Sequence, residues 1–140
     1  MKNLDSIHNE IQAEQFTALY REAEAARIHA YAPYSGFQVG AALLTENGTI
    51  YRGVNVENAS YPLTNCAERS AIFAAVSDGK RSFTAIAICG GKGDDTNNPC
   101  YPCGACRQVL SEFCGKDFPV ILSDGIYTLG DLLPYSFALE

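Results

Sequence analysis

The sequence predicts an α/β fold: one three-layer α/β/α domain with a mixed five-stranded sheet and helices on both faces. Three observations lead there. A helical pattern is followed by a strand hairpin, and after it helix-like and strand-like segments alternate. Strand-like runs such as "FTAIAIC", residues 83–89, are almost wholly apolar, as strands covered on both faces are. No linker, repeat or low-complexity segment divides the 140 residues, an ordinary length for one domain.

Each element has its own signal. Residues 1–13 are polar and read as an N-terminal lead-in, leaving 14–140 as the single domain. Phe16, Leu19, Tyr20, Ala23 and Arg27 recur at helical spacing and predict a helix over residues 14–30. "YAPYSG" ends it, because Pro33 disfavours helix at Ala32 and Gly36 supports a turn. "FQVGAALLT", residues 37–45, reads as a strand. Asn47-Gly48 supplies the positive φ angles of a hairpin turn, and "TIYRGVNV" returns. "CAERSAIFAAVSDG" is a mostly apolar helix ending near Gly79. "FTAIAIC" follows as a strand, then the loop "GGKGDDTNNPCYP". "CGACRQVLSEFC" is a further helix, "FPVILSD" and "GIYTL" are strands, and "GDLLPYSF" closes with one short helical turn.

Composition bounds the function. The net charge of −6 repels polynucleotide backbones, so a small molecule or another copy of the chain is the expected partner rather than nucleic acid. No apolar run approaches the roughly 20 residues of a membrane span, and the start carries no signal-peptide core, which suggests the cytoplasm. Six cysteines there point to metal ligands or plain thiols rather than disulfides. His8 and His29 lie too far from the cysteine motifs to act as ligands.

The chemistry concentrates in two segments. In "PCGAC", Cys103 and Cys106 stand three apart at a predicted helix start, where their sulfurs can converge and the helix dipole favours thiolates. Alone, this pair is open to a redox reading or to chance. In "TNCAERSA", Cys66 opens another predicted helix and Glu68 follows two residues later. By itself Glu68 is an ordinary acid in a first helical turn. Together, three thiolates suit zinc and leave its fourth position for a water, the arrangement of catalytic sites. Such a water has its pKa lowered toward roughly 7. The three thiolates and Zn²⁺ sum to −1, which the two helix N-termini partly offset. Cys100 offers a rival: bound with the other three, it would close a structural site. Pro102 favours a helix beginning about Cys103, which leaves Cys100 in the loop. A structural zinc also leaves Glu68 without a role.

A cysteine-ligated zinc, a glutamate that is not a ligand and P-C-x-x-C are the marks of the zinc deaminases. The chain goes further and resembles the small tetrameric cytidine deaminases. "YSGFQVGAAL", "GVNVENASYPLTNCAERSA" and "PCGACRQVLSEF" occur in that family's order, over about residues 14–137. Blasticidin-S deaminases share the zinc motif and the fold, but "NVENAS" beside "TNCAERSA" is more similar to the cytidine branch. The resemblance implies hydrolytic deamination of cytidine and 2′-deoxycytidine in pyrimidine salvage, by zinc-bound hydroxide adding at C4. One zinc per subunit would be held by Cys66, Cys103 and Cys106, with Glu68 as proton shuttle. Arg69 would hydrogen-bond ligand sulfur, with Arg107 a weaker candidate for that work. Asn55 and Glu57, two apart and so on one face, would grip the ribose. Phe37 would flank the base, and the Ala67 peptide N–H would read its edge. Tyr61 and Phe137 would reach a neighbouring subunit's site in a homotetramer. Cys89 reads as a small core hydrophobe, and Cys100 and Cys114 receive no role.

Overall fold

The computed structural model describes residues 3–139. Five strands, β1 (Phe37–Thr45), β2 (Ile50–Val54), β3 (Phe83–Lys92), β4 (Pro119–Leu122) and β5 (Gly125–Thr128), form one sheet in the order β2-β1-β3-β4-β5. β3 and β4 run parallel and every other neighbouring pair is antiparallel, so the sheet is mixed. Helix α1 (Leu4–Arg27) covers one face, and α2 (Ala67–Ser77) and α3 (Gly104–Phe113) cover the other. A single turn, α4 (Leu129–Leu132), closes the fold under a Thr128–Asp131 capping box.

The side-chain period of two divides the sheet between two cores. Val39, Ala41, Leu43, Ile86, Ile88, Val120 and Leu122 pack with Ala71, Ile72 and Leu110 of α2 and α3. Ala42, Leu44, Ala85, Ala87, Cys89 and Ile121 pack with Phe16, Leu19 and Ala23 of α1. Cys89 is therefore the small core hydrophobe expected of it.

α1 begins at Leu4, ten residues before the expected start. Asn3 caps it by accepting from the Ser6 amide at 2.8 Å, and Asp5 favours the dipole of its first turn. The early turns face solvent, with Leu4, Ile7 and Ile11 exposed, so no buried stripe announces them. Sequence reading also missed a 3₁₀ turn over Tyr61–Leu63, with Pro62 inside it.

Two glycines let helices approach the sheet closely enough to place the site. A Cβ on Gly40 would lie 2.1 Å from the Ala23 carbonyl oxygen of α1. One on Gly53 would lie 2.3 Å from the Ala67 carbonyl oxygen and 2.4 Å from the Ala71 amide nitrogen, in the first turn of α2. Backbone cannot move aside as a side-chain tip can. Gly53→Ala is therefore expected to cost about 3 kcal/mol in denaturant unfolding, at the upper end of overpacking penalties.

Candidate active site

α2 and α3 bring their N-termini together, and both begin with cysteine at the N-cap. Cys66 (φ −78°, ψ 155°) and Cys103 (φ −67°, ψ 167°) have the extended backbone of that position, but neither side chain caps its helix. The sulfurs turn toward each other instead. Cys66 Sγ and Cys103 Sγ are 3.7 Å apart, and with Cys106 Sγ all three lie within 4.8 Å of one another. Tetrahedral zinc with bonds of about 2.3 Å places its sulfurs about 3.8 Å apart, so this cluster fits the ion. Among the described residues it is the group that could hold a metal, and Cys100 is not in it. Cys100 sits over Gly90, whose Cβ would lie 2.7 Å from its sulfur, and burial pushes its thiol up to about 12. A closed four-sulfur site is not formed.

The hydrogen bonds around the sulfurs favour thiolate. Donation from Cys106, with further help from Arg69 and Cys103, holds the Cys66 thiol down at about 5 despite its partial burial. Cys106, the donor in that pair, is pushed up by the bond to Cys66 and by burial. Arg69 Nη2 donates to Cys66 Sγ at 3.1 Å, and its Nε is buried without a partner. A guanidinium here offsets anionic sulfur and orients it. Arg107 is turned elsewhere. Its Nε donates to the Pro102 carbonyl at 2.7 Å and its Nη1 to the Leu132 carbonyl at 2.6 Å, so it ties α4 to the turn before Cys103 and does not reach the sulfurs.

Glu68 is 4% exposed, which overturns its reading as a solvated acid of the first turn. Burial raises its pKa, and its own backbone amide and the Cys106 side chain oppose that rise. The one buried acid of α2 thus stands beside a sulfur of the cluster.

A cleft of about 190 Å³ opens in front of these groups, with Val39, Asn55, Ala67, Glu68 and Cys103 among its lining. That is room for a single aromatic ring, below the roughly 300 Å³ of drug-sized pockets. A roomier apolar groove of about 300 Å³ lies between α1 and β4–β5, on the other face of the sheet, but no cysteine, acid or histidine lines it.

Of the remaining candidates, Asn55 lines the cleft, whereas Phe37, Glu57, Tyr61 and Phe137 are not in its lining. Asn55 is buried and spans the start of β1, its Oδ1 accepting from the Val39 amide at 2.9 Å and its Nδ2 donating to the Phe37 carbonyl at 2.8 Å. Glu57, also buried, accepts from the Tyr34 and Ser35 amides at 3.0 and 3.1 Å and from the Ser35 hydroxyl. The two share a face, with exposed Val56 between them on the other. Both are held by the loop they organise, with acceptor lone pairs to spare. The Phe37 ring leans on Gly90 and is partly exposed. Tyr61, 67% exposed, stands 6.3 Å from the ring of Tyr34, and Phe137 is 70% exposed. Neither lines the cleft of its own chain.

Sequence reading missed Ser35, whose hydroxyl also accepts from the Phe37 amide at 2.9 Å and so links Glu57 to the start of β1. It missed Thr64, Asn65 and Tyr101 in the cleft lining as well. "PYSG" carried a signal for Ser35, since serine in a turn often bonds its neighbours' backbone.

Glu57 gives a pH test. Its bonds to Ser35, and then to Tyr34, hold its folded pKa below the usual carboxylate value. Its stabilisation is therefore fully present above the unfolded pKa of about 4.3 and is lost as pH falls through the lower folded value. The stability difference between the parent and Glu57→Gln, measured by urea unfolding, should be constant from pH 7 to 5 and shrink below about 4.

Residues 13–122 match the family model for the cytidine and deoxycytidylate deaminase zinc-binding region. The chain is 53% identical over 127 residues to a cytidine deaminase of Sporosarcina psychrophila, covering 87% of this chain and 90% of that protein. It superposes on a crystal structure of cytidine deaminase from Burkholderia pseudomallei with a TM-score of 0.79 and 50% identity, over 86% of this chain and 98% of that one. A blasticidin-S deaminase of Bacillus cereus is 30% identical over 135 residues, 91% of this chain and 88% of that protein.

Proposed function

The chain belongs to the cytidine and deoxycytidylate deaminase family, and from that premise we propose that it converts cytidine and 2′-deoxycytidine to uridine and 2′-deoxyuridine with release of ammonia. The observation that carries this is the pairing of a three-sulfur cluster with the buried Glu68 in a cleft the size of a pyrimidine. Blasticidin S is the weaker alternative, since the match to its deaminase is more distant.

Cys66, Cys103 and Cys106 would hold zinc, which would supply Lewis-acid chemistry and bring the pKa of a bound water near neutrality. Glu68 takes one proton from the attacking water and places it on ring N3, which makes C4 electrophilic. It then carries the second proton to the departing 4-amino group as the C4–N bond breaks and the new C4–O bond remains. One carboxylate serves first as base and then as acid. Arg69 steadies Cys66 and spreads the sulfur charge. The Ala67 amide, at the first position of α2, has no carbonyl four residues back within the helix and is free to read the pyrimidine edge. Asn55 and Glu57 receive the sugar hydroxyls on their remaining lone pairs, and Phe37 flanks the base.

The reading extends to a homotetramer in cytoplasmic pyrimidine salvage. The exposure of Tyr61 and Phe137 supports sites shared between subunits, because both are aromatic and neither is engaged by its own cleft. Among the described residues no helix is long and apolar enough to cross a membrane. An ultraviolet assay is expected to show turnover of cytidine and 2′-deoxycytidine and little or none of blasticidin S. Turnover of blasticidin S alone would reverse the assignment.

A further inference from the structure

We propose that Arg27 is a positioning residue for this active site, coupling the wall that receives the nucleoside to the loop that delivers Cys103. The inference rests on the deaminase reading above and deepens it. Arg27 ends α1 and is 8% exposed, far from the solvent a terminal arginine normally reaches. Its guanidinium is spent on three backbone carbonyls. Nε donates to Gln38 at 3.0 Å, and Nη2 donates to Gly91 at 2.7 Å and to Gly93 at 2.5 Å.

Those carbonyls belong to two segments that lead to the cleft: β1, which carries Val39 into its lining, and the end of β3 with the turn after it, from which the chain runs on to Cys100 and Cys103. Gln38 lies between Phe37 and Val39, the residues whose carbonyl and amide Asn55 grips from its own side. The first three residues of β1 are thus held by Asn55 and Arg27 together. Gly91 pairs with Gln38 one step before the last pair of β3, Lys92 with Phe37, and Gly93, at φ +56°, turns the chain into the loop that leads to Cys100 and Cys103. That turn has no slack: a Cβ on Gly91 would lie 1.8 Å from the Asp95 carbonyl oxygen. A planar fork of fixed donors can hold carbonyls from two segments in one geometry, and a lysine ammonium cannot reproduce it. Arg27 therefore sets the separation between the Phe37–Asn55 wall and the metal-bearing loop without touching substrate or metal.

The test uses the zinc-loaded full chain with Arg27→Lys and Arg27→Ala, at a temperature where circular dichroism shows each variant folded. Two quantities are read: KM for cytidine, and the rate of zinc release to a chelator with no substrate present. In Arg27→Ala, KM is expected to rise about tenfold with a smaller change in kcat, and zinc release to quicken about tenfold, as a misplaced site requires. Arg27→Lys falls between this variant and the parent. Millimolar ethylguanidinium, which refills the cavity left by Ala, restores both quantities. Should Arg27→Ala not fold, Arg27→Lys decides. A purely structural role lowers the melting temperature and leaves KM and zinc release within twofold of the parent, and that result overturns the proposal. A parent protein that turns over no nucleoside sinks the deaminase reading instead, and zinc release still judges Arg27.

Discussion

Glu68→Gln is expected to lower kcat for cytidine by about 10²–10⁴-fold while the protein keeps one zinc per chain. Glutamine preserves the shape of the buried side chain and removes its ability to take and return a proton. The sulfur cluster does not depend on the carboxylate, because its sulfurs are placed by two helix N-termini and steadied by Arg69. The measurement is a paired one, kcat by ultraviolet assay and zinc by atomic absorption on the same sample. Loss of turnover with zinc retained assigns Glu68 to proton transfer. Full activity in Glu68→Gln contradicts the mechanism, and loss of zinc makes Glu68 a part of the metal site.

Cys103→Ala is expected to abolish zinc binding at micromolar metal and, with it, all measurable turnover. Cys103 is exposed at the start of α3 and its side chain caps nothing, so the fold does not need it. Two thiolates and water bind zinc far more weakly than three thiolates do, since each Cys–zinc bond is a major share of the affinity. Cys100→Ser supplies the contrast. Its sulfur lies outside the cluster, and the variant is expected to hold one zinc and to stay active. Zinc loss in Cys100→Ser would place a fourth sulfur on the metal.

Much of this was legible in the chain because local chemistry and tertiary fold agree. The run 37–45 is β1 to the residue, since an apolar stretch ends at Asn47-Gly48, but the turn differs from expectation: Gly48 has positive φ and Asn47 does not. The cysteine spacings located both helix starts, Cys66 and Cys103 standing at the N-caps. The failures have physical causes as well. β3 runs on through Gly90, Gly91 and Lys92 because those residues pair with Phe37–Val39, although "GGK" reads locally as loop. Gly90 and Gly91 serve close approach there rather than turning. Asn55 and Glu57 were visible as a same-face pair, but their bonds to residues 16 to 23 positions away were not. Arg27 fitted the apolar stripe of α1 by position, and nothing in the sequence reveals that it reaches carbonyls 64 and 66 residues on.

The proposed mechanism requires three sulfurs around a zinc that keeps one place for water. Zinc K-edge X-ray absorption on the purified enzyme tests that most directly. A first shell of three sulfurs near 2.3 Å and one oxygen near 2.0 Å is the predicted result. A shell of four sulfurs would contradict it.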